Sequence, residues 1–132
     1  MPEFLSVGWI DALDTAARAV ALDPEVSITV EQVVRHARDR EVRYHLTIRD
    51  GRARVHDGPA EAPDLRLLAD YDTAARLQRG ELNAQHALAA GRLKIQGRFE
   101  RVVRIHDALR ALEDAFAPVR EQTTFRDDRT SR

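Results

Sequence analysis

The chain has 132 residues, enough for one domain with a single core and too few for two. Its formal net charge of −1 gives no whole-molecule field that would attract nucleic acid or an anionic membrane. The absence of cysteine excludes disulfides, thiolate metal ligands and cysteine nucleophiles. No segment approaches the roughly 18 uninterrupted apolar residues of a membrane span, and residues 1–4 do not resemble a secretory signal. We therefore expect a cytoplasmic location.

The first third of the chain changes from helical to strand periodicity. Ser6 can cap a helix whose apolar residues recur at helical spacing, and the Asp-Pro pair at residues 23–24 ends it. Apolar and polar residues alternate over residues 26–30, which predicts a half-buried strand. Residues 32–40 are ambiguous, because two valines could extend the strand while the charged stretch after them is typical of a loop.

A β-hairpin is the clearest local prediction. Residues 42–49 alternate, and Asp50-Gly51 is a favoured pair for a two-residue type I′ turn, so residues 52–56 should return antiparallel. That turn sets the register. It places Ile48 opposite Ala53 and Leu46 opposite Val55 on the buried side, and Arg49 opposite Arg52, Thr47 opposite Arg54 and His45 opposite His56 on the polar side.

Two further strands and three further helices complete the prediction. Strands are expected at residues 64–69 and 92–97, with two short helices between them that end at Gly80 and Gly91. A long amphipathic helix then carries an apolar stripe as far as Phe116.

This order of elements predicts an α+β fold, with helices packed on one face of a five-stranded, mostly antiparallel sheet. We expect one domain over residues 1–118 and a polar, disordered tail over residues 119–132.

One segment resembles a known family signature. Residues 80–97, GELNAQHALAAGRLKIQG, are similar to the run G-x-L-x(4)-A-x(3)-G-[KR]-[LI]-x-[LIV]-x-G of the sterol carrier protein type 2 family. The opening FLSVGWI, from Phe4, also looks like the start of bacterial single-domain members, and the resemblance covers about residues 4–116. It implies helices over an elongated apolar tunnel that binds fatty acids, fatty acyl-CoA, phospholipids or sterols, without catalysis.

On this resemblance, a lipid ligand would occupy an apolar cavity between the helices and the sheet. The side chains expected to line the cavity are Trp9, Leu13, Leu46, Leu77, Leu82, Gln85, Leu88, Phe99, Val102, Val103, Ile105, Leu109, Leu112 and Phe116. Without the resemblance, the same apolar stripe indicates an ordinary closed core, because apolar periodicity reports burial first.

The polar side of the hairpin offers other candidates. His45 and His56 could hold a metal or sense pH, but no third ligand stands at a fixed spacing and arginines share the face, so we predict no metal site and no cofactor. The arginines indicate a solvated face with acidic partners, or transient contact with an anionic membrane or an acidic protein. No aromatic residue is interleaved for base stacking, so we predict no nucleic acid partner.

Three functional hypotheses remain at this stage. The first is non-catalytic binding and transfer of a lipid. The second is a closed-core interaction domain that docks on a partner enzyme or homodimerises, and both a monomer and a homodimer stay open. The third, an enzyme with His86 or His106 as its base, has little support, because the sequence contains no motif of a nucleophile, phosphate loop or dinucleotide site.

Overall fold

The structure is a computed structural model that describes residues 2–36, 40–98, 100–101 and 105–125. The described elements are, in order, α1 (Val7–Arg18), β1 (Ile28–Arg35), β2 (Glu41–Arg49), β3 (Arg52–Asp57), β4 (Leu65–Asp70), α2 (Tyr71–Gln78), α3 (Ala84–Ala89), β5 (Leu93–Gly97) and α4 (His106–Glu121). The predicted α+β class with five strands is confirmed. Within the described ranges, no helix combines the length and the apolar character needed to cross a membrane.

The five strands form one mixed sheet in the order β3-β2-β1-β4-β5. The central strand β1 pairs antiparallel with β2 and parallel with β4, and the two outer pairings are antiparallel. The prediction of a mostly antiparallel sheet is therefore confirmed, and the structure identifies its parallel pair. Because β3 and β4 lie on opposite sides of the β1–β2 pair, the chain between them must cross the sheet.

The hairpin has the predicted register. Asp50 and Gly51 have φ angles of 54° and 78°, the left-handed conformation that a type I′ turn requires at both central residues. All five predicted pairs are opposite each other, including Arg49 with Arg52 and His45 with His56.

Several predicted boundaries were wrong. Helix α1 ends at Arg18, well before residues 23–24, and β1 runs from residue 28 to residue 35. Helix α4 continues through Pro118 to Glu121, past its predicted end. A proline near the last turn removes only one helical N–H, while Phe116 and Val119 on either side pack against the core.

The predicted boundary after residue 118 thus lies inside α4. Thr124 follows the helix and bonds to the N-terminal segment: its N–H donates to Pro2 O at 2.9 Å, and its carbonyl accepts from Phe4 N at 2.8 Å. Of the predicted tail, residues 119–132, the part from residue 126 onward lies outside the described residues.

The sheet has one apolar and one polar face, because side chains alternate along each strand. The apolar face, here called the core face, is covered by buried residues of α1, α2 and α4. Phe4 joins this core from the N-terminal segment, where its ring packs against Trp9, Tyr71 and Phe125 with centroid distances of 4.9, 5.5 and 5.1 Å.

Candidate functional site

The helices that the structure describes leave part of the core face uncovered. Gln32 lies on the central strand opposite Tyr44 of β2 and Leu67 of β4, and Leu67 in turn lies opposite Ile95 of β5. Gln32, Leu67, Ile95 and the neighbouring Leu46 are only half-buried, although they lie within the sheet on the face that carries the core. We call these four residues the open patch. Their partial exposure indicates that the described helices do not close fully over them.

Two polar groups lie at this place on an otherwise apolar surface. Tyr44 is only 9% exposed, and Trp9 packs edge-on against its ring at 5.3 Å. Burial raises the pKa of the Tyr44 hydroxyl far above its usual value, so it remains a protonated donor. Within the described part of the chain, neither this hydroxyl nor the Gln32 carboxamide makes a hydrogen bond. Both groups are therefore available to a ligand.

Half of the predicted cavity residues come together in the structure. Seven of the fourteen lie in the core cluster or pack against it: Trp9, Leu13, Leu46, Ile105, Leu109, Leu112 and Phe116. The short-helix residues do not join them, since Leu77 and Leu82 are half-buried outside the cluster while Gln85 and Leu88 are exposed. Phe99, Val102 and Val103 lie outside the described residues.

Sequence reasoning did not assign Gln32, Leu67 or Ile95 to the site. The missing signal was the length of β1. Alternation counted from Ile28 through Val34 places Gln32 on the core face, but the charged stretch after Val34 makes this segment ambiguous from the sequence.

A separate cleft of about 440 Å³ lies beside the start of β1. Its walls are mostly polar or charged: Asp23, Glu25, Val26, Ser27, Arg98, Glu100, Arg101 and Ile105. Arg101 is already engaged, because its Nη1 donates to Ser27 O at 3.1 Å. Charged walls of this kind do not suit a hydrocarbon chain.

The polar face is organised around a buried carboxylate. The side chain of Glu31 is 0% exposed and accepts hydrogen bonds from Arg66 Nε at 2.6 Å, Ala60 N at 2.7 Å and Arg43 Nη1 at 3.3 Å. Burial opposes ionisation, but these hydrogen bonds and the two arginine charges outweigh it and lower the pKa of Glu31. Since Ala60 belongs to the segment that crosses the sheet between β3 and β4, Glu31 anchors that crossing.

Other arginines of this face also have acidic partners. Arg54 Nε lies 2.9 Å from Asp14 Oδ1, and Arg92 Nη2 lies 3.0 Å from Asp72 Oδ2. The expectation of a solvated face with acidic partners is confirmed for these arginines. Charge neutralised in this way gives little attraction for an anionic membrane.

The histidine pair has the predicted proximity. The rings of His45 and His56 stack with centroids 4.9 Å apart, and His45 Nδ1 donates to Gly58 O at 2.9 Å. His56 Nε2 lies 3.3 Å from Thr47 Oγ1. Among the described residues, no group of three metal-ligating side chains is present. Burial, then the neighbouring His45 and Arg54, lower the pKa of His56.

This lowered pKa predicts a loss of stability in mild acid. Below about pH 6.5 the unfolded chain protonates residue 56 while the folded chain resists it, so the free energy of unfolding should fall with pH. Urea unfolding at a series of pH values should show a shallower fall for His56→Asn than for the wild type. His86→Asn, at an exposed position on α3, serves as the control. Equal slopes for wild type and His56→Asn would contradict the prediction.

Comparison with known proteins adds independent information. None of the curated proteins matches the chain. A solution structure of a conserved hypothetical protein from Thermus thermophilus, described with a sterol carrier protein as its suggested identity, superposes with a TM-score of 0.70 at 19% identity, over 97% of this chain and 95% of that one.

Two further structures have the same fold. A crystal structure of sterol carrier protein 2 has a TM-score of 0.63 at 20% identity, over 90% of this chain and 98% of that one. A solution structure of palmitated sterol carrier protein 2-like 2 from Aedes aegypti has a TM-score of 0.60 at 16% identity, over 79% of this chain and 94% of that one. At these identities the likeness concerns the fold. The model of the SCP-2 sterol transfer family matches residues 15–110, and the chain belongs to that family.

Proposed function

We propose that this protein binds one lipid molecule, a fatty acid, fatty acyl-CoA, phospholipid or sterol, with its apolar part against the open patch, and carries it between membranes without catalysis. The observation that carries the proposal is the partial exposure of Leu46, Leu67 and Ile95 within the core face. Each methylene that leaves water contributes about 0.8 kcal/mol, so a long chain gains enough to offset the cost of ordering it. The family supports lipid binding and transfer in general.

The competing hypotheses have less support in the described residues. The large apolar side chains exposed there are Val7 and Leu88, on two different helices, which is too little for the apolar centre of a stable interface. The candidate bases His86 and His106 are both exposed rather than held in an apolar pocket. We therefore propose neither a docking domain nor an enzyme.

A filling substitution tests the proposal. Leu67→Trp should occupy the space above β4, weaken the binding of the fluorescent fatty acid cis-parinaric acid about tenfold, and leave the melting temperature nearly unchanged. In a closed core the same change would overpack the interior and destabilise it by about 1–3 kcal/mol. Fluorescence titration and thermal unfolding give the two readouts.

Leu68→Trp is the matched control, because Leu68 lies on the same strand and faces the opposite side of the sheet. It should leave probe binding unchanged. Native mass spectrometry of the wild type should show one lipid per chain. A wild type that binds no cis-parinaric acid, or a Leu67→Trp variant that is destabilised and binds as before, would contradict the proposal.

A further inference from the structure

The open patch has a polar centre that apolar binding alone does not explain. Gln32 lies midway along the central strand, on the face that otherwise carries aliphatic residues. Direct cross-strand neighbours have Cβ atoms about 5 Å apart, so the side chains of Gln32 and Tyr44 leave the sheet next to each other. A polar group in such surroundings lowers stability unless something hydrogen-bonds to it.

The two groups have complementary hydrogen-bonding capacity. The carboxamide of Gln32 offers both donors and an acceptor, and the protonated hydroxyl of Tyr44 offers a donor and an acceptor. Since neither has a hydrogen-bond partner among the described residues, both are free to bond to a ligand.

The charges around this pair disfavour an anion. The described strands carry no lysine or arginine on the core face, and their arginines lie on the polar face or at strand ends. Tyr44 lies opposite Asp57 on β3, whose carboxylate would repel a negative group. A carboxylate or phosphate brought to Gln32 would lose its hydration without gaining a counter-ion from the described strands, which is costly in an apolar site.

We propose that the Gln32 carboxamide and the Tyr44 hydroxyl form the polar end of the lipid site and select a lipid whose neutral hydroxyl or carbonyl group lies against β1 and β2. This inference rests on the proposed function, since it names the chemistry of the ligand that the open patch receives. It predicts a preference for a neutral oxygen over both a bare hydrocarbon and a charged headgroup.

The test compares tetradecane, tetradecan-1-ol and tetradecanoate at pH 8, each displacing cis-parinaric acid from the wild type, Gln32→Leu and Tyr44→Phe. The ratio of tetradecan-1-ol to tetradecane affinity should fall about fivefold in each variant, as expected for one lost hydrogen bond. Comparing this ratio between proteins cancels the different solubilities of the two compounds. Gln96→Leu is the matched control, because Gln96 is exposed on the polar face of β5, and its ratio should equal that of the wild type.

The outcomes separate this inference from the proposed function. An unchanged ratio in both Gln32→Leu and Tyr44→Phe, or tightest wild-type binding by tetradecanoate, would overturn the selection of a neutral group and leave lipid binding intact. Failure of all three compounds and of cis-parinaric acid to bind the wild type would overturn both. Circular dichroism shows which variants remain folded, and Tyr44→Phe, which removes one oxygen atom, keeps the test valid if Gln32→Leu does not fold.

Discussion

Replacing Trp9 with alanine should lower the free energy of unfolding by about 4 kcal/mol, the largest effect that we expect from a single substitution. Trp9 is 1% exposed and joins three parts of the molecule, because its ring packs edge-on against Phe4 and Tyr44 while its backbone belongs to α1. Alanine would leave a cavity between the helix and the sheet that the surroundings cannot fill. Urea unfolding followed by circular dichroism measures the loss without relying on tryptophan fluorescence.

Val7→Ala is the control, because Val7 is 60% exposed on the same helix. Its free energy of unfolding should stay within about 0.5 kcal/mol of the wild type. A loss below about 1 kcal/mol for Trp9→Ala would mean that α1 does not dock on the sheet as described.

Replacing Glu31 with leucine should cost about 3 kcal/mol. The change removes the acceptor for Ala60 N, Arg66 and Arg43 together, and it releases the segment that crosses the sheet. The side chains of Arg43 and Arg66 are 37% exposed, so their guanidinium groups can turn toward water, which keeps the loss near the lower end of the range for a broken buried ion pair. Chemical denaturation at pH 7 measures the difference.

Glu41→Leu provides the comparison, since Glu41 also pairs with Arg43 but is 37% exposed. Exposed ion pairs contribute about 0.2–1 kcal/mol, so this variant should be close to the wild type. The lowered pKa of Glu31 adds a second readout. The stabilisation by ionised Glu31 is complete above its ordinary pKa of 4.5. It is lost as the pH falls through the lower pKa of the folded protein. Equal losses for Glu31→Leu and Glu41→Leu would refute the anchoring role of Glu31.

Local sequence predicted the parts of the fold that local geometry determines. The Asp50-Gly51 turn has two residues, which leaves one register for the hairpin. The structure contains all five predicted pairs between β2 and β3. The parallel pairing of β1 with β4 had no such signal, because the two strands are far apart in sequence and no turn connects them.

The site was harder to predict for the same reason. In the alternating pattern of β1, Glu31 occupies a position that predicts exposure to solvent. It is buried because the segment between β3 and β4 crosses above it. The openness of the core face depends on how closely the helices approach the sheet, which periodicity does not report. The short helices illustrate this, since Leu88 belongs to the family-like segment and is nevertheless exposed.

The bond between the two ends of the described chain has a consequence for biosynthesis. A parallel β-bridge joins Glu3 of the N-terminal segment to Thr124 after α4, and the ring of Phe4 packs on that of Phe125. Phe4 leaves the ribosome well before Phe125 is translated. The sheet can assemble while translation continues, but Phe4 must wait for α4 and the segment after it, so an apolar surface stays accessible to chaperones until that segment has emerged.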